Sequence, residues 1–234
     1  MKKQILKTIF SLLTLLSIFS CSNSDSGQNL SQVPLAKSIY DNSNFGIYKG
    51  VFVGSSGTIV LDISNTNASI TATLIIDGVT HTFTTNQTIQ QNQFTTINFI
   101  EGNNSFTFFV YENGYNPTIT DLIINGHPNA ALLVVKETST VMVKCFEGTY
   151  EGCQQGTFNA VIYGNTIKAL SRNFNNSFLD ATENGTVIDN QINASGTASN
   201  GAVFTGELNG NNFLGTWNVP NYSCNGTFSG VRTY

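Results

Sequence analysis

From residue 45 onward, apolar and polar positions alternate in short runs, and no stretch shows the spacing of an amphipathic helix. Residues 69–76 are the clearest case. Ile70, Ala72, Leu74 and Ile76 fall on one face of an extended chain, and Ser69, Thr71 and Thr73 fall on the other. Asp77-Gly78 follows, a pair suited to the positive φ angles of a tight hairpin turn. The same punctuation returns at Glu101-Gly102-Asn103-Asn104, Glu112-Asn113-Gly114, Asn125-Gly126, Tyr163-Gly164-Asn165, Asn184-Gly185, Asn200-Gly201 and Asn209-Gly210. Spacings of roughly 10 to 20 residues predict a meander of antiparallel hairpins.

The pattern also repeats on a larger scale. Gly46-Ile47-Tyr48-Lys49-Gly50 returns as Gly148-Thr149-Tyr150-Glu151-Gly152, and Gly57-Thr58-Ile59 returns as Gly156-Thr157-Phe158. Both offsets are about 100 residues, which predicts two related units, 45–140 and 141–234. The second unit offers about eight strand candidates by their spacing. In its last two, Phe213, Gly215, Trp217 and Val219 share one face, and Gly226, Phe228 and Gly230 share another. Large rings beside glycines predict close packing in a small, strongly curved sheet. Composition agrees: 17 Phe, 8 Tyr and 21 Gly against 4 Pro, with only 10% charged residues. The expected fold class is all-β, with two meandering antiparallel β-barrel-like units.

The first 44 residues follow another pattern. Lys2, Lys3 and Lys7 precede the apolar run 9–19, which is shorter than the roughly 20 apolar residues of a membrane span. The run closes on Leu16-Ser17-Ile18-Phe19-Ser20-Cys21. This resembles a bacterial lipoprotein signal with its lipobox, and Asp25 behind it is similar to the acidic export cue of Bacteroidetes surface lipoproteins. The resemblance implies that 1–20 is a signal peptide removed at Cys21. It also implies that Cys21 carries acyl chains such as palmitate, and that the protein sits in the cell envelope at the outer membrane, with either face open. The competing reading is a general signal peptide with an incidental cysteine. Residues 21–44 then read as a flexible tether rich in Ser, Asn and Gln; stretched out, 22–44 would reach on the order of 75 Å.

Removing the leader changes the charge. The chain has 10 Lys and Arg against 14 Asp and Glu, and three of the lysines lie in the leader, which leaves −7. That balance excludes nucleic acid as an expected partner, since phosphate binding needs clustered cations.

Three further cysteines follow, and an oxidising compartment favours one disulfide. Cys153 ends one strand and Cys224 opens the last one, so antiparallel pairing of those strands would bring the two together. Cys145 to Cys153 along one strand would span about 26 Å, beyond disulfide reach, leaving Cys145 as a buried thiol. No metal site is expected, because neither His81 nor His127 stands at ligand spacing from a cysteine. Neither histidine lies in a catalytic motif. Asp121, Glu147, Glu151 and Glu207 would support glycan hydrolysis only if the fold brought two of them together. Gly215-Thr216-Trp217 resembles the Gly-x-Trp element of calycin barrels, which implies a Trp packed against a basic residue; Arg232 is the candidate. Residues 201–210 are similar to strands of barrel-bearing surface lipoproteins such as transferrin-binding protein B.

The expected function is a non-catalytic binding or assembly module of the cell envelope. It would have no cofactor, a membrane anchor at Cys21, and an envelope protein or glycan as partner. The alternatives are a carrier of a small apolar ligand in a calycin-like barrel and an envelope glycan hydrolase.

Overall fold

A computed structural model describes residues 30–66, 69–175, 181–196, 201–220 and 222–234. The signal segment and Cys21 lie outside the described residues. Among the described residues, sixteen strands follow one short 3-10 turn at Ser38–Tyr40. The first eight are β1 (Gly46–Val53), β2 (Ser56–Ile63), β3 (Ile70–Ile76), β4 (Val79–Thr84), β5 (Thr95–Glu101), β6 (Asn104–Val110), β7 (Thr118–Ile123) and β8 (Ala131–Lys136). The second eight are β9 (Val143–Gly152), β10 (Gly156–Tyr163), β11 (Thr166–Asn173), β12 (Ala181–Ile188), β13 (Gln191–Gly196), β14 (Val203–Asn209), β15 (Asn212–Val219) and β16 (Cys224–Arg232). Among the described residues no helix is long and apolar enough to cross a membrane.

Each set forms one antiparallel, barrel-like sheet. Consecutive strands pair from β1 to β7 and from β9 to β16, and the last strand of each set returns to the first: β8 pairs with β1, and β16 pairs with β9. The second sheet is a closed barrel. The first is less complete, because β4 and β5 share a single register pair, Thr84↔Ile100, and β7 is not laddered to β8. A bulge at Asp121 (φ 51°) sets three residue steps of β7 against two of β6, which bends that strand.

Turn chemistry accounts for the hairpins. Asp77 and Gly78 hold φ of 49° and 79°, and Asp189 and Asn190 hold 50° and 65°, the double positive φ that matches strand twist. Asn184-Gly185 corrects the sequence reading, for it makes no turn and β12 runs straight through it. Gly185 pairs with both Ile167 and Ala194, and a Cβ there would lie 2.0 Å from the Asn193 carbonyl. Glycine serves there for close backbone approach. The Gly-x-Tyr-x-Gly repeat shares the topology but not the register. Tyr48 faces Leu61, four residues past Gly57, whereas Tyr150 faces Gly156 itself.

Rings fill the second barrel. Phe158 packs against Phe204, Phe213 and Phe228 with centroids 5.0 to 5.8 Å apart. Glycines make room for them: a Cβ on Gly215 would sit 2.6 Å from the Phe228 ring, and one on Gly230 would sit 2.4 Å from the Phe213 ring. The first sheet encloses its own core of Tyr48, Phe52, Phe83, Phe99, Phe106, Phe108 and aliphatic neighbours.

The two sheets meet along β1, which is buried on both faces. Its inward residues include Tyr48 and Phe52, and its outward Val51 joins Val135, Val143, Cys145 and Val161 in a junction cluster. Buried Asn159 donates to the Phe52 carbonyl at 2.6 Å and accepts from the Gly148 amide at 3.0 Å. Lys49 and Glu137 form a buried ion pair of 2.6 Å at the same junction. The N-terminal segment is held there too. Leu35 N–H donates to Glu137 at 2.6 Å, Lys37 N–H to Asn65 at 2.9 Å, and Arg232 to the Ser31 carbonyl at 2.5 Å.

Candidate functional site

The surface feature that burial does not explain lies at one end of the first sheet. Thr95↔Val110 is the terminal register pair of β5 and β6. One residue beyond it on each strand, Phe94 and Tyr111 project from the outer face, edge to face, with ring centroids 5.7 Å apart. They are 59% and 48% exposed. Tyr115, 65% exposed, stands across the following turn. That turn is closed by Tyr111 N–H to the Tyr115 carbonyl (3.1 Å) and Gly114 N–H to the Tyr111 carbonyl (2.8 Å). Gly114 has φ 83°, and a Cβ there would meet the Lys136 stem at 2.5 Å, so the turn lies tight against the body.

Asn44 holds this end together. It is fully buried and uses all of its hydrogen-bonding groups. Its amide NH₂ donates to the Gln90 carbonyl (2.8 Å) and the Thr95 hydroxyl (2.6 Å). Its Oδ1 accepts from the Asn92 amide (2.7 Å) and the Ser43 hydroxyl (3.2 Å). Its own N–H donates to the Glu112 carbonyl at 2.9 Å, and its carbonyl accepts from the Tyr48 hydroxyl at 2.9 Å. One residue, through its side chain and its backbone N–H, thus ties the loop before Phe94 and the turn after Tyr111 to the start of β1. A fully satisfied buried network of this kind is rigid.

Lys136 closes the floor. Its ammonium donates to the Ser43 carbonyl (2.8 Å) and the Phe45 carbonyl (2.6 Å), and lies 4.7 Å over the Tyr48 ring. Burial pushes its pKa down from 10.5 to about 8, against the pull of Asp41. Below about pH 8 both folded and unfolded chains carry this charge, and the folded chain bears its desolvation. Between about 8 and 10.5 the unfolded chain holds more protons, so stability rises with pH. Cys145, pushed up by burial to about 12, acts in the opposite direction above its ordinary 9.0. The Lys136 effect is therefore read from about pH 7.5 to 9: the melting temperature rises across that window, and Lys136→Met removes the slope.

The rows nearest the rings on the outer face are uncharged, and beyond them Asp121 accepts from the Thr120 hydroxyl at 3.0 Å. The nearest rows are Thr96, Phe109 and Thr118, then Asn98, Thr107 and Thr120. The Thr107 hydroxyl donates to Asn98 at 3.1 Å. Where β4 parts from β5, Gln87 takes its place along the strand edge: its Oε1 accepts from the Asn98 amide (2.6 Å), and its Nε2 donates to the Thr96 carbonyl (3.3 Å). The sequence reading passed over this site, marking Glu112-Asn113-Gly114 only as a turn. The available signal was placement, since Phe94, Tyr111 and Tyr115 are aromatics set among turn residues rather than inside an alternating strand.

The other candidates fall elsewhere. Cys153 and Cys224 are joined by a disulfide with Cα atoms 5.4 Å apart, beside the Gly152↔Gly226 pair of β9 and β16. Cys145 is a buried free thiol. Trp217 packs edge-on to Tyr150 at 5.7 Å and donates to the Glu151 carbonyl at 3.1 Å. Arg232 is not its partner. Trp217 faces Gly226, six residues along β16 from Arg232 and therefore about 20 Å away. Arg232 instead bonds the Tyr234 and Ser31 carbonyls.

The carboxylates do not converge. Asp121 lies in the first sheet and Glu147 takes a hydrogen bond from Ser56 at the junction. Glu151 and Glu207 are separated by the intervening β15 and β16, about 14 Å of sheet and beyond the ~9.5 Å limit for paired glycosidase carboxylates. His81 pairs with Glu101 at 3.4 Å, and the His127 ring packs on Phe52 at 5.5 Å. Among the described residues no cluster of His, Cys, Asp and Glu could hold a metal ion. No protein-family model matches this chain, and neither the curated proteins nor the solved structures give a match.

Proposed function

We propose that this protein is a cell-envelope lipoprotein, anchored through Cys21, that acts as a non-catalytic binding module. The observation that carries this reading is the exposed Phe94–Tyr111 ring pair, with Tyr115 exposed across the adjoining turn, above a buried hydrogen-bond hub. Three large rings kept in water on a rigid frame mark a contact surface, because isolated folding gains nothing from their exposure. A carrier role has less support, since the second barrel is packed with rings. A cleft of about 410 Å³ at its end, lined by Gly164, Asn165, Asp189 and Asn190 with Ile162 and Leu208, opens to solvent.

Arg232 holds the Ser31 carbonyl, so in this reading ten residue steps separate Cys21 from the first point tied to the body. Such a length spans at most about 35 Å, less than half the reach of a tether running to residue 44. A binding module on a leash that short works close to the membrane surface. Several acyl chains supply a stable hold, at roughly 0.8 kcal/mol for each buried CH₂. Replacing Cys21 with Ser tests the anchor. The expected result is loss of labelled palmitate incorporation and release from the membrane fraction. A variant that lacks its leader yet stays with the membrane overturns the anchor.

A further inference from the structure

The platform also has a chemistry of its own, and an inference about its ligand rests on the binding-module reading. We propose that Phe94, Tyr111 and Tyr115 bind a neutral polysaccharide, with the rings stacked on apolar sugar faces and the Thr and Asn rows beside them meeting hydroxyl groups.

Three observations carry this. The first is the pairing of ring and amide. A pyranose has flat C–H faces and a rim of hydroxyls that both donate and accept. Exposed rings match the faces. Thr96, Asn98, Thr107 and Thr118 beside them carry hydroxyls and an amide, groups that likewise donate and accept.

The second is charge. Between Lys49 and Lys136 the chain has no lysine or arginine, while it has Asp62, Asp77, Glu101, Glu112 and Asp121. Stacked bases also bind aromatic platforms, but single-stranded nucleic acid needs a cationic groove beside the rings. Anionic polymers such as polyuronates are repelled for the same reason. A neutral ligand remains.

The third is size. With about 200 Å² for a large aromatic side chain, the three exposed rings offer roughly 350 Å². A standard protein interface needs about 800 Å² from each partner and places Arg and further apolar residues around its centre. Here the neighbouring rows are threonine and asparagine with the half-buried Phe109 between Thr96 and Thr118, which suits two or three sugar units better than a protein surface.

Native electrophoresis of the full-length protein in detergent, through gels containing a β-glucan, a mannan, a xylan or alginate, tests the ligand class. The expected result is retardation by at least one neutral polymer and none by polyanionic alginate. Phe94→Ala and Tyr111→Ala should each weaken that retardation tenfold or more. Tyr111→Phe, which keeps the ring, should preserve it, as should Tyr222→Ala, which removes an exposed ring of the second unit. Retardation that survives both platform substitutions, or a preference for alginate, overturns the proposal.

A second arm separates this inference from the reading beneath it. The Cys21→Ser chain, free of its anchor, is mixed with isolated envelopes pretreated with periodate, which cleaves sugar diols, or with protease. Retention lost after periodate and kept after protease supports the glycan. Retention lost after protease only, together with sensitivity to the Phe94→Ala and Tyr111→Ala double substitution, replaces the glycan with a protein partner and keeps the binding module. Retention indifferent to the double substitution overturns both.

Discussion

Glu137→Ala should lower the unfolding free energy by about 3–5 kcal/mol, the cost of breaking a buried ion pair from one side. Glu137 and Lys49 are 0% and 1% exposed, and their contact is 2.6 Å. The carboxylate serves three partners from three parts of the chain. It accepts from Lys49 on β1, from Leu35 N–H in the N-terminal segment (2.6 Å), and from Val143 N–H at the start of β9 (2.9 Å). Truncation leaves the Lys49 ammonium and the Val143 N–H buried without it and releases the Leu35 N–H of the N-terminal segment, and the ammonium keeps the Tyr234 ring, 5.0 Å away. Urea unfolding followed by far-UV circular dichroism measures the loss. Lys49→Met combined with Glu137→Leu should cost less than Glu137→Ala alone, because no uncompensated charge remains. If Glu137→Ala costs under about 1 kcal/mol, the pair is not what holds the junction.

Removing the Cys153–Cys224 disulfide should cost about 4 kcal/mol, the loop-closure entropy of a 71-residue separation. The bond joins the end of β9 to the start of β16, the two strands whose pairing closes the second barrel. In the folded state the ladder from Gly226↔Gly152 to Arg232↔Phe146 already holds these strands side by side. The covalent link therefore acts chiefly on the unfolded chain, where it removes open conformations. Wild type in reductant and the Cys153→Ser/Cys224→Ser variant should show the same lowered urea midpoint. A midpoint unchanged by reduction would mean that closure does not depend on the bond. The buried Cys145 thiol gives no exchange partner in the native protein, since burial also keeps it protonated.

Much of the architecture is legible in the chain because a strand advertises itself locally. Ala72 and Leu74 alternate with polar Thr71 and Thr73, and both point inward, as Ile76 does. Asp77-Gly78 states its turn in two residues. The glycines of β14 to β16 advertise tight ring packing, and the Phe228 and Phe213 rings lie where a Cβ would be. Local signals mislead where a glycine has two uses. Gly185 reads like a turn and acts as a gap in a continuous strand. The Gly-x-Tyr-x-Gly repeat misleads in another way, since the same five-residue pattern enters the two sheets at different heights.

The candidate site was less legible, and the reason is physical. Phe94 and Tyr111 are 17 residues apart in sequence, and they meet only because β5 and β6 pair in one register out of several that alternation would allow. Nothing in Asn44 itself announces a hub; in the chain it is one polar residue in a run of Asp, Asn and Ser. It becomes one when Gln90, Asn92, Thr95 and Glu112 arrive around it from three other segments.

The sequence by itself determined the period-two strands, the Asp77-Gly78 turn and the acidic balance, because each is read from neighbouring residues or from composition. Only the tertiary structure decided that β8 returns to β1 in the first sheet, that Lys49 faces Glu137 across 88 residues, and that Phe94 and Tyr111 meet in water at one end of that sheet. Those depend on long-range register, where backbone pairing and side-chain burial must be satisfied at once.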